Sequence, residues 1–272
     1  MTSATAQAAS APVRGAAISI ARVDVTYGVG GPEPLQALSG IDLDVPNGAF
    51  VSLVGPSGCG KSTLLKVVAD LMAPTRGNVT IGGKAPRELR RAGRIGLVFQ
   101  QANLMPWLRI TDNIALLREL VARRGVAAPD AASIADLVRV VGLTGFESKY
   151  PHQLSGGMQQ RVAFARALAL DPAVLLMDEP FAALDEITRD RMAFELMRIW
   201  HHYKKTVLFV THSLAEAVFL SDRVVLMSAR PGRIHRLFEV DLPRPRDRET
   251  RLSDRFHAIV SDVNRELYRV MS

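Results

Sequence analysis

The chain has 272 residues, 48% of them hydrophobic and 22% charged, enough for one large or two small packed domains and unlike a disordered, collagenous or disulfide-stapled polypeptide. Its net charge of +7, carried mostly by arginine, favours an anionic partner such as nucleic acid, a membrane surface or phosphates. Cys59 has no second cysteine to pair with, and no run approaches the roughly 18 apolar residues that span a bilayer, so a cytosolic setting is expected.

Residues 1–13 hold no charge and lack the basic region and apolar core of a secretory signal; they read as a disordered tail, extending to about 16. Ile18, Ile20, Val23 and Val25 alternate with smaller or polar residues up to Tyr27, which predicts a half-buried strand. A Gly/Pro loop spans 28–34. Ile41, Leu43 and Val45 alternate with Asp42 and Asp44 in a second strand, and Ala49 to Val54 reads as a buried one. Apolar runs at Ile95 to Phe99, Ala173 to Met177, Val207 to Val210 and Val224 to Met227 alternate with helical stretches, the pattern of an α/β fold with a mostly parallel sheet. Between Asn103 and Leu170 there is no strand signal. Thr111 to Arg123, Ala131 to Val141 and Gly156 to Leu170 read as helices of an inserted subdomain, and Ser253 to Val270 as an amphipathic closing helix.

Gly55-Pro56-Ser57-Gly58-Cys59-Gly60-Lys61-Ser62 matches G-x-x-x-x-G-K-[ST] between a strand and a helix. Glycines let backbone N–H groups converge on phosphate oxygens, and the helix dipole adds to their pull. Lys61 reaches the β and γ phosphates, the Ser62 hydroxyl suits Mg²⁺, and Thr63 can donate to the α phosphate. Cys59 sits where thiol pKa values tend to fall, but as a side chain it reads as a small residue tolerated in the loop.

Val174 to Glu179 is an apolar strand ending in two carboxylates, at the strand end where open α/β sheets bind ligands. Neighbours on a strand face opposite sides, so Asp178 is expected on the metal, through water, and Glu179 on the attacking water as general base. Leu154-Ser155-Gly156-Gly157-Met158-Gln159-Gln160-Arg161 opens a helix with a good N-cap and bare N–H groups, a second phosphate site. Two such sites imply either two nucleotides per chain or one nucleotide shared between two chains.

Together Gly55 to Thr63, Leu154 to Arg161 and Leu175 to Glu179 resemble the ATP-binding subunits of ABC transporters. The resemblance spans about Ile18 to Ile234 and implies a P-loop nucleotide hydrolase, an α/β cassette with a mostly parallel core sheet, an N-terminal antiparallel β subdomain and a helical subdomain inserted at about 103–170. The cassette would occupy 17–234 and a C-terminal extension 235–272. By the same resemblance Tyr27 stacks on adenine and Gln100 links metal and water to the membrane subunit, although Gln101 beside it leaves the register open by one residue. Ala183-Leu184-Asp185 matches the loop crossing the dimer interface, and His212 the histidine that contacts the γ phosphate. It also implies a head-to-tail homodimer in which Ser155 to Gly157 cap the ATP held by the other chain's Lys61. Met158 departs from the glutamine common at its position.

Leu104 to Trp107, Pro180 to Arg189 and Ser228 to Ile234 look more narrowly like importers of nitrate, sulfonates and taurine, a group that includes carriers of bicarbonate and pyrimidine precursors. The implied protein is a peripheral ATPase on the cytoplasmic side of the inner membrane. It would use ATP and Mg²⁺ to drive a separate permease, with an extracytoplasmic solute-binding protein as indirect partner and no nucleic acid. Met105 to Leu108 place apolar bulk where family members receive a permease helix; alternatively Trp107 packs the helical subdomain. The rival functions are an ABC-type ATPase of nucleic acid or the ribosome, opposed by the single cassette and by basic residues interspersed with acids, and a metabolite kinase, which leaves Leu154 to Arg161 unexplained. His152, His201, His202, His235 and His257 show no ligand spacing. The basic stretch Arg244 to Arg255 is interleaved with Asp247, Glu249 and Asp254 and is expected to be a solvated face.

Overall fold

A computed structural model describes residues 15–125 and 132–271. The expected tail lies outside them except for Gly15 and Ala16. Ala16 is already tied to the fold, its N–H donating to the Ala173 carbonyl at 3.2 Å.

Strand β1 (Ile18–Tyr27) buries Ile18, Ile20, Val23 and Val25 and pairs antiparallel with β2 (Leu35–Val45), Ile18 facing Val45. β2 begins six residues before the alternating segment that predicts it. Next come β3 (Phe50–Val54), α1 (Lys61–Val68) and β4 (Arg76–Ile81), the last pairing antiparallel with the other edge of β1. The order β2-β1-β4 makes the expected antiparallel subdomain. β4 escapes prediction because only Val79 and Ile81 of its six residues are buried.

After α2 (Pro86–Arg91) and β5 (Ile95–Val98) the chain turns helical: α3 (Ile110–Ala122), α4 (Ile134–Val140) and α5 (Gly156–Leu168). Ile114, Leu137, Val138, Leu143 and Phe164 pack these helices around one core. β6 (Val174–Asp178), α6 (Glu186–Tyr203), β7 (Thr206–Val210), α7 (Leu214–Leu220), β8 (Arg223–Ser228) and β9 (Arg233–Glu239) complete the second sheet, in the order β5-β6-β7-β3-β8-β9. All its pairings are parallel except β8 with β9. The boundary expected at 234 thus falls inside the edge strand β9.

This order decides where the site lies. β6, β7 and β3 are neighbours, so the loops leaving their C-terminal ends, at 179, 211 and 55, emerge side by side. Two apolar clusters hold the frame. One joins the small sheet and α1 to the large sheet; the other joins the large sheet to the helical segment, α6, α7 and the C-terminal helix.

The chain closes with α8 (Arg248–Leu252) and α9 (Asp254–Met271), whose Phe256, Ile259 and Val263 are buried. Each such side chain contributes roughly 1.5–3 kcal/mol by leaving water. The expected solvated face over 244–255 is corrected here. Arg246 is only 4% exposed and its Nη1 donates to the carbonyls of Val218, Phe219 and Ser221 at 2.8–3.0 Å. Those acceptors end α7, where helix carbonyls lack intrahelical donors and the dipole is negative. Arg244 stacks on Trp200 and pairs with Asp222, while Arg251 lies over Phe219 and bridges to Asp190. Burial, with Arg244 close by, brings the Arg246 pKa down to about 10, leaving it charged at neutral pH.

Candidate functional site

The loop from β3 to α1 winds through Gly58 and Gly60 at φ 76° and 90°, and Lys61 opens the helix. Lys61 is 7% exposed; its ammonium donates to the carbonyls of Gly55 and Pro56 at 2.9 and 3.1 Å. Cys59 is fully buried. Burial raises its thiol pKa, against the pull of Lys61, so the depression expected at a helix N-terminus is not what this thiol experiences.

The Ser62 hydroxyl donates to Asp178 Oδ1 at 2.8 Å. Burial raises the Asp178 pKa, the Ser62 bond lowers it and the Glu179 charge raises it further. Glu179 is not on the strand: its φ is 47°, and its N–H donates to the Val210 carbonyl at 2.9 Å. The two carboxylates part because the backbone turns left-handed at Glu179, and not by strand alternation. Asp178 faces Ser62, and Glu179 Oε2 lies 3.3 Å from His212 Nδ1.

One cleft of about 840 Å³ takes in Tyr27, Ser57, Gly58, Gly60 to Thr63, Glu179 and His212. Tyr27 is half exposed at its mouth, with its hydroxyl 3.1 Å from Thr63 Oγ1. Gly55, Pro56 and Cys59 do not line it. Arg230 and Pro231 do, and sequence reasoning gave them no role. They are brought in by a close approach: a Cβ on Gly232 would stand 2.1 Å from the Cys59 carbonyl, so the β8–β9 turn rests directly on the phosphate loop. Nothing local in the sequence marks that contact.

Gln100, Gln101 and Gly156 lie on a second groove with Pro106, Pro180 and Leu184. Ser155 caps α5, its hydroxyl accepting the Met158 N–H, and Gly157 is packed so closely that a Cβ would stand 3.0 Å from Thr188 Cγ2. Within one chain, therefore, the two glycine motifs do not share a cavity.

The ABC transporter profile matches residues 38–182. The chain belongs to the ABC transporter family. It is 52% identical over 216 residues to an uncharacterized ABC transporter ATP-binding protein of Methanocaldococcus jannaschii, covering 79% of each chain. With the aliphatic sulfonates import ATP-binding protein SsuB of Bacillus cereus it shares 43% over 235 residues, 86% of this chain and 90% of that one. Among solved structures, a dimeric ATP-binding cassette in a post-hydrolysis state, bound to ADP and Pi, superposes with a TM-score of 0.67 at 33% identity, over 82% of this chain and 98% of that chain. This ABC cassette is thus an ATP-binding, ATP-hydrolysing subunit of a transporter. Among the described residues no helix is long and apolar enough to cross a membrane.

Proposed function

We propose that the chain is the ATPase of an importer for a small anionic or organic solute, an aliphatic sulfonate in the first instance, with nitrate and taurine as related solutes. The observation that supports a nucleotide motor most directly is the joining of Lys61, Ser62, Glu179, His212 and Tyr27 in one cleft. The solute class rests on likeness to SsuB.

In this reading Tyr27 stacks on adenine and the backbone of Ser57, Gly58 and Gly60 to Thr63 wraps the phosphates, with Gly55, Pro56 and Cys59 shaping the loop from behind. Lys61 neutralises the β and γ groups, and Glu179 takes the proton of the attacking water while His212 holds the γ phosphate. Ser62 and Asp178 offer hard oxygens 2.8 Å apart. That fits Mg²⁺, which binds through few protein ligands and keeps water and phosphate oxygens, supplying Lewis-acid charge. Gln100, which lines the second groove, would contribute a side-chain oxygen to that ion in the role the family resemblance implies.

Separation of the two glycine motifs supports a head-to-tail homodimer, in which Ser155 to Gly157 complete the partner's cleft. The cassette then runs from 17 to the end of β9, with the helical subdomain at about 103–170 inserted and the C-terminal extension beginning after Glu239. The dimer sits on the cytoplasmic face of the membrane against a permease that receives Met105 to Leu108, and an external solute-binding protein supplies substrate. Vesicles with the chain and its genomically adjacent permease oriented so that the ATPase faces the lumen, and loaded with ATP, should take up labelled alkanesulfonate presented outside with the solute-binding protein, while vesicles without ATP should not. ATPase stimulation by DNA or ribosomes, with no solute moved, would replace this reading by the nucleic-acid rival.

A further inference from the structure

Helix α7, Leu214-Ala215-Glu216-Ala217-Val218-Phe219-Leu220, carries one acid in an otherwise apolar sequence, and it is buried: the Glu216 side chain is 5% exposed. Its contacts reach the loops that carry the chemistry. Thr211 Oγ1 donates to Glu216 Oε2 at 2.7 Å, and the Ser213 N–H donates to the same Thr211 oxygen at 3.0 Å. The Glu216 N–H donates to Ser213 Oγ at 3.3 Å. The residues on both sides of His212 are therefore fixed to Glu216, while His212 itself is exposed and faces Glu179.

On its other oxygen Glu216 meets Arg189, with Nε 3.4 Å from Oε1. Arg189 Nη2 donates to the Leu184 carbonyl at 3.0 Å, in the segment that leads from Glu179 to the Asp185 cap of α6. The Arg189 Nε is buried and makes no hydrogen bond, so the Glu216 carboxylate 3.4 Å away compensates it through charge. One carboxylate thus ties the loop after β7 to the loop after β6.

We propose that Glu216 is a positioning residue for hydrolysis, holding His212 against Glu179 through Thr211 and setting the 180–185 loop through Arg189. This rests on the reading of Glu179 and His212 given above. Desolvating Glu216 to pair with the half-buried Arg189 gains little over apolar packing if stability is the sole purpose, and this pair joins two functional loops across the mouth of the sheet.

The test compares four full-length chains for ATP affinity, kcat, KM and thermal midpoint. Glu216→Gln keeps the side-chain volume and an acceptor for Thr211 but removes the charge. It should lower kcat at least about tenfold, with nucleotide affinity and KM within about twofold. Arg189→Gln/Glu216→Gln removes both charges and leaves no orphan; its thermal midpoint should return toward the native value while kcat stays low. Recovery of both stability and kcat would make the pair merely structural, and native kcat in Glu216→Gln would equally overturn the inference. His212→Ala separates the two readings. If it is inactive while Glu216→Gln is fully active, only the positioning role falls; if it turns over at the native rate, the assignment of the site falls with it.

Discussion

Lys61 is held by two carbonyl dipoles of its own loop, so its charge is solvated by the protein and lies ready beside the cleft. A phosphate oxygen offers a full negative charge in their place. Lys61→Ala should lower ATP affinity about 10- to 100-fold, the worth of one or two charge-assisted hydrogen bonds, measured by calorimetric titration. Retained native affinity would remove Lys61 from the phosphates. Glu179→Gln differs in kind. It keeps the side-chain shape beside His212 but loses basicity, so MgATP should still bind while turnover drops at least about a hundredfold and an ATP-filled dimer accumulates on size exclusion. Much of this was legible in the sequence, because a phosphate loop is a local object whose spacing is its geometry. Arg230, Arg189 and Glu216 were not, because the Arg189–Glu216 pairing and the approach of the Arg230 turn to the phosphate loop are tertiary contacts between segments with no spacing relation.

Among the elements, strands with continuous apolar runs announce themselves, since both faces of β3, β6, β7 and β8 are covered. β4 and β9 are edge strands with few buried side chains, and their sequences carry correspondingly little signal. The arginine-rich stretch misleads for a related reason: interleaved charge looks solvated, but a guanidinium can satisfy a helix end and lie flat on an aromatic ring. Arg246→Met should therefore strand the last carbonyls of α7. The expected loss is about 2–4 kcal/mol, seen as a fall of roughly 5–15 °C in thermal midpoint. Arg248→Met, at an exposed neighbour, should move the midpoint by no more than about 1–2 °C. Equal effects from the two would mean that Arg246 gains nothing from its four backbone acceptors.

For the molecule as a whole, a charge of +7 and the lack of a spanning helix among the described residues leave open what it touches. The surplus charge says less than it promised, because Arg90, Arg198, Arg244, Arg251 and Arg255 each sit on an acid. A better guide is Trp107, which is 70% exposed, so it does not pack the helical subdomain. Its loop is nevertheless tied down by hydrogen bonds. Buried Asn113 accepts the Met105 N–H at 2.8 Å and donates to the carbonyls of Met105, Leu108 and Arg109. A large indole displayed on a fixed loop beside the Gln100 groove has the form of an interface anchor, since its ordering cost is largely met before binding. Trp107→Ala should leave ATP affinity and thermal midpoint unchanged while weakening permease association at least about tenfold in detergent pull-downs. Asn113→Ala should weaken association too, but with a loss of stability, because it unmakes the loop. A Trp107→Ala chain that co-purifies with the permease as the native chain does would place the docking surface elsewhere.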